Sequence, residues 1–386
     1  MRVALVHDYI KEYGGAERVL EALHELYPNA PVFTSIYLPH YLGPHRERFK
    51  NWDIRTSYFQ YVPFNAKLIS PFRIVAPCVF SRFDFSKFDV VIVSATGAYF
   101  PNLINKKNAI QICYSHTPPR YLYGYATARE WKKTLILRSI GEIANHFLRI
   151  ADYKSSKNVD YYIANSHNIA GRIKKFYRRE ATVIYPPVDI QASSSIASSV
   201  QVINKELNAN HLDAKRYYLA GGRLARPKHI DLIVEACLQL GVPLKVFGKG
   251  FAGYEKELQH RSFNKKDGNI EFVGEVSDEE KWQLMRNAKA YIFAAEDEDF
   301  GITPVEAMSF GIPVIAYRSG GVVESVIEGK TGLFFNDLSV SSVISAIEKF
   351  ATLTFSEDVC KKQSEKFSKE RFKKEIKTFV EKVTRQ

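Results

Sequence analysis

Short apolar runs alternate with helically spaced segments along this 386-residue chain, and the alternation occurs once in each half. Runs of this length between helical patterns are typical of strands in a parallel sheet that is covered by helices on both faces. The sequence therefore predicts an α/β fold with two doubly wound domains in tandem. Strands are predicted in the first half at the opening run from Val3 and at Pro31–Ile36, Asp89–Ser94, Ala109–Tyr114 and Tyr161–Ala164, and in the second half at Arg216–Gly222, Leu244–Phe247, Ile270–Val273, Lys289–Ala295, Ile312–Ala316 and Gly332–Phe335.

The boundary between the halves is marked by the segment Tyr185–Asp189, whose paired prolines interrupt the alternation. A serine-rich run over Gln191–Val200 follows, and such sequence is typical of a linker. We therefore predict one domain over residues 1–188 and a second over 189–368. Residues 369–386 show helical spacing, and we expect this helix to complete the first domain. The apolar positions of that spacing are Phe372, Ile376, Phe379 and Val383.

Composition narrows the class of protein. With 46% hydrophobic and 25% charged residues, the chain is typical of globular proteins. It contains no uncharged apolar stretch of about 18 residues, which a spanning helix needs. The opening apolar run is too short for a secretory signal. The 4 cysteines are scattered without metal-like spacing, so we expect a cytoplasmic protein without a zinc site.

The net charge of +12 comes from the first half of the chain. Residues 1–188 contain 26 Lys+Arg and 14 Asp+Glu, whereas the rest contains 28 of each kind. An excess of this kind favours an anionic partner, such as a phospholipid surface, a phosphate-bearing acceptor or a nucleic acid. A basic face that only keeps the protein soluble is the alternative.

Two segments of the first half combine basic side chains with aromatic or aliphatic ones. Ile54–Phe83 contains no acidic residue, and Trp131–Ile150 has the spacing of an amphipathic helix. Aromatic rings and cations together suit the surface of an anionic membrane, although the same rings also suit a core. The basic members are Arg55, Lys67, Arg73, Arg82, Lys132, Lys133, Arg138 and Arg149.

A pair of carboxylates follows the apolar run that ends at Ala295. Glu298 lies in the predicted loop, and Glu306 lies in the helix that we expect to begin near Pro304. Because open α/β sheets bind ligands at the carboxyl ends of their strands, both acids are candidates for one ligand site. The alternative is structural, with Glu306 stabilising the helix amino end and Glu298 solvated.

Two glycine turns are candidates for a phosphate site. Gly14-Gly15 lies between a predicted strand and a predicted helix, where backbone amides bind anions. In the second half, Gly222 is followed by Arg223 and Lys228, and cations at this position can hold a diphosphate. A plain tight turn and solvated loop cations are the alternatives. Cations for phosphate and carboxylates for hydroxyls together suit a nucleotide diphosphate joined to a sugar.

These features together resemble the retaining glycosyltransferases of family 4, which have two Rossmann-like domains facing a deep cleft in the arrangement called GT-B. The likeness covers nearly the whole chain and is closest to bacterial mannosyltransferases of O-antigen and other surface polysaccharide assembly. The motifs that carry it are Gly14-Gly15-Ala16-Glu17-Arg18, Ser115-His116-Thr117-Pro118, Ala164-Asn165-Ser166, Pro186-Pro187-Val188-Asp189, Gly222-Arg223-Leu224 with Lys228, Gly248-Lys249-Gly250, and Glu298 with Glu306.

The resemblance implies a role for each candidate residue. Glu306 would bind the ribose, Arg223 and Lys228 would neutralise the leaving diphosphate, and Glu298 would hold hydroxyls of the donor sugar. His116 would touch the sugar near the reacting face. The resemblance thus implies catalytic roles for Glu298, His116, Arg223 and Lys228, and donor binding by Gly15, Gly222, Phe300, Gly301, Ile302 and Glu306.

The predicted activity is transfer of a hexose, mannose from GDP-mannose, to a lipid-linked saccharide by a peripheral enzyme at the inner face of the cytoplasmic membrane. The first domain would serve the acceptor. Asp297-Glu298-Asp299 fits a metal-binding pattern of other glycosyltransferases, but Arg223 and Lys228 already supply cations, so we expect no metal and no other cofactor. The alternatives are a nucleotide-sugar epimerase, a phosphorylase with pyridoxal phosphate, and a non-catalytic nucleic-acid-binding protein, which lacks a recognisable motif here.

Overall fold

The computed structural model describes residues 1–127, 135–190, 217–251, 253–254, 257–258 and 269–385, with the side chains of 135–138 excepted. The predictions for Lys132, Lys133, Arg138 and the serine-rich run lie outside the described residues or side chains. The chain divides into two compact units. Among the described residues, unit 1 contains 1–125, 135–187 and 369–385, and unit 2 contains 126–127 and those from 188 to 368.

The centre of unit 1 is a parallel sheet, seven-stranded in the described residues, with the order β3-β2-β1-β4-β5-β6-β7. Its strands are β1 (Val3–His7), β2 (Val32–Thr34), β3 (Ile54–Thr56), β4 (Val90–Ala95), β5 (Ile110–Ser115), β6 (Tyr161–Ala164) and β7 (Ala181–Val183). Its helices are α1 (Gly15–Leu26), α2 (Asn65–Leu68), α3 (Arg120–Tyr123), α4 (Leu135–Asn158) and α5 (His167–Tyr177). The pattern did not predict β3 and β7, which are three-residue strands.

Both faces of this sheet are buried. In β1, Ala4 and Val6 enter one core cluster, whereas Val3 and Leu5 enter the other. A strand covered on both faces is apolar at every position rather than at alternate ones, which explains the continuous runs of the sequence. The second cluster also contains Phe372 of the C-terminal helix, so that helix covers one face of the unit 1 sheet.

Unit 2 repeats this plan with a parallel sheet that is six-stranded in the described residues, in the order β10-β9-β8-β11-β12-β13. Its strands are β8 (Tyr217–Gly221), β9 (Leu244–Phe247), β10 (Ile270–Gly274), β11 (Ala288–Phe293), β12 (Val314–Tyr317) and β13 (Gly332–Phe335). The helices from here to the end are α6 (Ile230–Leu240), α7 (Asp278–Arg286), α8 (Ile302–Ser309), α9 (Val322–Ser325), α10 (Val340–Ala351), α11 (Glu357–Glu365) and α12 (Lys369–Thr384), of which α12 belongs to unit 1.

Each sheet has the strand order of the Rossmann fold, in which the first and fourth strands are neighbours and the connections leave in opposite directions. Ligands bind at the carboxyl ends of those two strands. In unit 1 these are β1 and β4, and in unit 2 they are β8 and β11. The chain segments after β8 and β11 contain Gly222, Arg223, Lys228 and Glu298.

The segment Ile54–Phe83 forms β3 and then a series of short helical turns. The sequence left open whether its rings belong to the core or to an exposed surface, and the structure contains both kinds. Phe59, Phe72 and Phe80 are buried, whereas Tyr61 and Phe64 are 83% and 78% exposed. The turns are 3-10 helices at Tyr58–Tyr61, Pro71–Ile74, Ala76–Cys78 and Phe80–Arg82. In the described part of the chain, no helix combines the length and apolar character that crossing a bilayer requires.

Candidate functional site

The first element of the unit 2 site is a pair of glycine loops in close contact. Gly222 has φ 106°, which only glycine adopts readily. Gly248 lies against it, since a Cβ at Gly248 would be 1.7 Å from the Gly222 carbonyl oxygen. The Leu224 amide donates to the Lys249 carbonyl at 2.9 Å and fixes the two loops together. Both motifs therefore need glycine for packing, whether or not a ligand is bound.

Lys228 and Glu298 contact each other directly. The Lys228 Nζ lies 2.7 Å from the Glu298 Oε2, and each side chain is 22% exposed. The same ammonium lies 5.1 Å from the centre of the Phe293 ring. The predicted phosphate cation and the predicted sugar carboxylate are thus in direct contact, and both are partly exposed.

The backbone around Glu298 is fixed from two sides. On one side, the Gly321 amide donates to the Glu298 carbonyl at 2.8 Å. Gly320 packs so closely that a Cβ there would lie 2.1 Å from the same oxygen. On the other side, the Glu296 amide donates to the Pro227 carbonyl at 2.8 Å, next to Lys228. These contacts hold the Glu298 loop and the Lys228 turn in a fixed position relative to each other.

Glu306 is buried in α8 at 4% exposure. Its Oε1 lies 2.8 Å from the Nζ of Lys281, a residue of α7 that is itself only 7% exposed. The same Nζ lies 3.0 Å from the Asp278 Oδ1. Lys281 is a member of the site that our reading of the sequence missed. A signal was present, because Lys281 lies four residues before buried Met285 on the inward face of α7.

Tyr291 connects the acids to the glycine loop and was also missed. It is fully buried in β11, and its hydroxyl donates to the Gly221 carbonyl at 2.8 Å. Burial raises the pKa of this phenol, and the nearby Glu306 carboxylate raises it further, so Tyr291 stays protonated.

The start of α8 supplies the remaining predicted donor-binding residues. Gly301 has φ 88° and precedes Ile302, the first residue of the helix, so α8 begins two residues before the position predicted from Pro304. Phe300 is 2% exposed, and its ring centre lies 5.4 Å from that of Phe367. The buried Phe300 ring thus anchors the turn. Arg223 is exposed, with its guanidinium 5.5 Å from the Phe251 ring centre.

In unit 1, His116 lies in a buried polar chain. Its Nε2 is 2.9 Å from the Ser94 Oγ, which is 3.1 Å from the His7 Nδ1. The His7 Nε2 in turn lies 3.6 Å from the Glu17 Oε1. The Gly14 amide, which precedes Gly15 at the start of α1, donates to the Glu17 Oε2 at 2.9 Å. The structure therefore connects the two predicted unit 1 positions, Gly15 and His116, through residues that we had not assigned to the site.

Burial keeps His116 neutral. Loss of water contact lowers the pKa of the imidazole to about 3, and the neighbouring His7 lowers it in the same direction. His116 is therefore a hydrogen-bonding group at neutral pH and not a cation. Among the described residues, no group of three or more His, Cys, Asp or Glu is arranged to hold a metal ion.

Comparison with known families covers most of the chain. Residues 13–192 match the family described as Glycosyltransferase Family 4, and residues 203–370 match the one described as Glycosyl transferases group 1. The chain therefore contains a glycosyltransferase family 4 domain followed by a glycosyl transferases group 1 domain. The similarity of solved structures agrees with the predicted GT-B fold class of two Rossmann-like units, which is confirmed. HepE of Anabaena, solved with UDP and glucose, superimposes with a TM-score of 0.68 at 19% identity, covering 99% of each chain.

Sequence relatives of the chain include proteins named alpha-1,3/1,6-mannosyltransferase ALG2. The protein of Dictyostelium discoideum is 26% identical over 283 residues, which are 66% of this chain and 65% of the relative. That of Schizosaccharomyces pombe is 26% identical over 286 residues, 64% of this chain and 52% of the relative. The match thus covers less than two thirds of the length of either relative. Similarity to bacterial enzymes of O-antigen assembly stays a prediction.

Proposed function

We propose that the protein is a retaining hexosyltransferase that moves mannose from GDP-mannose to a hydroxyl of a lipid-linked saccharide. The observation that carries this proposal is the Lys228–Glu298 pair, joined at 2.7 Å beside the glycine loops. A phosphate takes the ammonium as its partner, and sugar hydroxyls donate to the carboxylate. One partly exposed ion pair therefore matches both halves of a nucleotide sugar. The names of the ALG2 relatives support mannose as the sugar.

The proposed reaction breaks the bond between the sugar C1 and the β-phosphate oxygen. Negative charge grows on that diphosphate, and Lys228 and Arg223 stabilise it in a site from which water is partly excluded. The acceptor oxygen then bonds to C1 on the face that the phosphate leaves, and its proton passes to the departing phosphate oxygen. Configuration is retained without a protein base, and no metal ion or other cofactor takes part in this proposal.

Glu306 is proposed to bind the ribose of the donor. Its Oε1 is occupied by Lys281 at 2.8 Å, and this contact orients the carboxylate. A carboxylate accepts hydrogen bonds from two neighbouring hydroxyls through its remaining lone pairs. Glu306 therefore contributes to donor affinity, whereas Glu298 acts on the sugar that is transferred. The backbone amides of Phe300 and Gly301, together with Ile302 and the Gly222 loop, are proposed to contact the same donor.

The proposal also assigns the two domains. Residues 189–368 would bind the nucleotide sugar, and residues 1–188 with the helix 369–386 would serve the acceptor. The acceptor is proposed to belong to surface polysaccharide assembly, O-antigen included. The basic excess of residues 1–188, with 26 Lys+Arg against 14 Asp+Glu, supports an acceptor that carries a lipid diphosphate.

A donor panel tests the activity. The full-length protein is incubated with GDP-, UDP- and ADP-sugars, and slow hydrolysis of each donor is scored by mass spectrometry. We expect GDP-mannose to be hydrolysed fastest and Glu298→Ala to suppress that hydrolysis. A protein that hydrolyses none of these nucleotide sugars would contradict the proposal. Interconversion of one donor into its epimer would instead favour the epimerase.

We further propose that unit 1 contacts an anionic membrane peripherally, at the inner face of the cytoplasmic membrane. The helix α4 exposes an apolar stripe, in which Ile140, Ile143 and Phe147 are 60%, 62% and 66% exposed. Exposed Lys154 and Lys157 continue it toward the end of the helix. Apolar side chains next to lysines suit the boundary between headgroups and acyl chains. Tyr61 and Phe64, near exposed Lys67, form a second patch of the same kind.

Vesicle flotation tests this contact. We expect the full-length protein to float with vesicles that contain an anionic phospholipid, and to do so less in high salt. Ile143→Ser with Phe147→Ser should abolish flotation. Leu353→Ser, at a 42% exposed apolar position of unit 2, is the matched control and should float like the parent. Flotation that survives the double substitution would contradict a role for α4.

A further inference from the structure

We infer that Glu17, His7 and Ser94 form a relay that fixes the tautomer of His116, so that the His116 Nδ1 accepts a hydrogen bond from a hydroxyl of the sugar substrate. The inference rests on the proposed function, because the sugar that His116 would recognise is a substrate of the proposed reaction. Glu17, His7 and Ser94 are positioning residues in this scheme. They act on the substrate only through His116.

The Ser94 hydroxyl links His7 to His116 and has a single hydrogen to donate. Its Oγ lies between two ring nitrogens, the His7 Nδ1 at 3.1 Å and the His116 Nε2 at 2.9 Å. A hydroxyl has one proton to donate, so it donates to one histidine and accepts from the other. The tautomers of the two histidines are consequently linked, and fixing one of them fixes the other.

Glu17 determines which ring nitrogen of His7 carries the proton. Its carboxylate only accepts hydrogen bonds, and its Oε1 lies 3.6 Å from the His7 Nε2. This distance is too long for a hydrogen bond, and His7 Nε2 is a fully buried atom that has no hydrogen-bond partner among the described residues. A proton on that nitrogen is attracted to the carboxylate, whereas a lone pair there would face a negative oxygen. His7 therefore carries its proton on Nε2.

The remaining protons follow from that choice. The His7 Nδ1 has a lone pair and accepts from the Ser94 hydroxyl, and the Ser94 Oγ then accepts from the His116 Nε2–H. His116 is neutral because burial lowers its pKa to about 3, so its Nδ1 keeps a lone pair. Among the described residues, none makes a hydrogen bond to that nitrogen. It is left to accept from a sugar hydroxyl.

Glu17 also couples this relay to the first glycine turn. Its second oxygen accepts from the Gly14 amide at 2.9 Å, next to Gly15. Glu17 is only 6% exposed, so its carboxylate is held between the turn and His7. The glutamate of the Gly14–Arg18 motif thus has a function beyond starting α1, because it determines which nitrogen of His116 meets the substrate.

The test reads the tautomer directly. Full-length protein with ¹⁵N-labelled histidine is studied by long-range ¹H–¹⁵N correlation, and the His7 and His116 signals are assigned with His7→Gln and His116→Gln. We expect neutral rings with the proton on Nε2 in both residues. A proton on His116 Nδ1, or a doubly protonated His7, would reverse the relay and overturn the inference.

Two substitutions of Ser94 test the link between the rings. We expect exchange of the His116 Nε2 proton with water to become at least about tenfold faster in Ser94→Ala, and Ser94→Thr to restore the slow exchange because it keeps the hydroxyl. The kcat for sugar transfer should fall about tenfold in Ser94→Ala and recover in Ser94→Thr. Unchanged proton exchange in a folded Ser94→Ala would overturn the relay.

The tautomer experiment needs no substrate, so the two proposals fail separately. If the tautomers are as expected but no nucleotide sugar is turned over, the relay stands and the proposed function fails. If transfer occurs but the His116 proton is on Nδ1, the function stands and the relay fails.

Discussion

The Lys281 ammonium and the Glu306 carboxylate meet at 2.8 Å, and both side chains are less than 10% exposed. A buried pair of this kind stabilises a protein little relative to apolar side chains of the same size, but removing one partner leaves a costly buried charge. The pair is therefore best understood as a device that orients Glu306. Two neighbouring helices, α7 and α8, are joined through it.

We first predict that Lys281→Met destabilises the protein by about 3–5 kcal/mol, because the Glu306 carboxylate loses a buried cation. Urea unfolding measures the change. The double variant Lys281→Met, Glu306→Leu should recover most of that stability but should bind GDP more weakly than the parent, as measured by calorimetry. A double variant that binds GDP like the parent would contradict the ribose role of Glu306.

The two acids should separate in their kinetic effects. We expect Glu306→Ala to weaken binding of the nucleotide, and Glu298→Ala to lower turnover of the sugar with a smaller change in nucleotide affinity. Loss of a hydrogen bond from a charged group corresponds to about 1.5–3 kcal/mol, or about 10- to 150-fold. Calorimetry with GDP and steady-state kinetics measure the two quantities. Glu296→Ala is the matched control, since Glu296 precedes Glu298 by two residues, is 42% exposed and lies 3.4 Å from the His229 Nε2.

Gly248 and Gly171 should respond to alanine with opposite signs. A Cβ at Gly248 would lie 1.7 Å from the Gly222 carbonyl oxygen, so Gly248→Ala must move the glycine loops apart and should abolish nucleotide binding. Gly171 lies within α5, where a Cβ meets no atom within 4 Å in the described part of unit 1. Gly171→Ala should therefore stabilise the protein by about 0.5–1 kcal/mol. Thermal unfolding and calorimetry with GDP distinguish the two variants.

Asp152 should make stability fall as the pH rises. Burial raises the pKa of this carboxyl to about 7, against hydrogen bonds from Tyr123 and Tyr177 that lower it. Because the folded state then binds the proton more tightly than the unfolded chain, its contribution is complete below pH 4 and is lost as the pH rises to 7. We expect Asp152→Asn to be increasingly more stable than the parent over this interval, by up to about 4 kcal/mol.

Urea unfolding of the Asp152→Asn variant and the parent between pH 4 and 8 measures the difference. The Tyr123 and Tyr177 hydroxyls lie 2.7 and 3.2 Å from the carboxylate oxygens, and an asparagine side chain keeps groups that can bond to both. A stability difference that does not change with pH would show that Asp152 is ionised normally in the folded protein.

The parts of the fold that follow from local chemistry could be predicted from the sequence. Buried strands such as Tyr161–Ala164 and Leu244–Phe247 have the same bounds in the structure, because apolar runs are local signals. The strands Ile54–Thr56 and Ala181–Val183 were missed. Each lies at a sheet edge and has one exposed residue between two half-buried ones. Its strand conformation therefore depends on the neighbouring strand and not on its own sequence.

For the candidate site, too, local features could be predicted from the sequence, whereas contacts between distant segments could not. Residues next to strand ends, such as Glu298 and Arg223, could be named as candidates because their position follows from the order of strand and loop in the sequence. Their partners were not, because Lys281 and Ser94 contact Glu306 and His116 from segments that are 25 and 22 residues away in sequence. The pairing of Lys228 with Glu298, across 70 residues, likewise required the folded structure.

The helix α12 has a consequence for how the protein is made. Unit 1 takes its last helix from residues that follow unit 2, and Phe372, Ile376, Val380 and Val383 of that helix are buried against the sheet. A ribosome therefore completes unit 2 before it releases the segment that closes the apolar face of unit 1. Until then, the Val3–Leu5 side of the first sheet is covered by α1 but lacks α12, and a nascent chain halted before Lys369 should need a chaperone to stay dispersed.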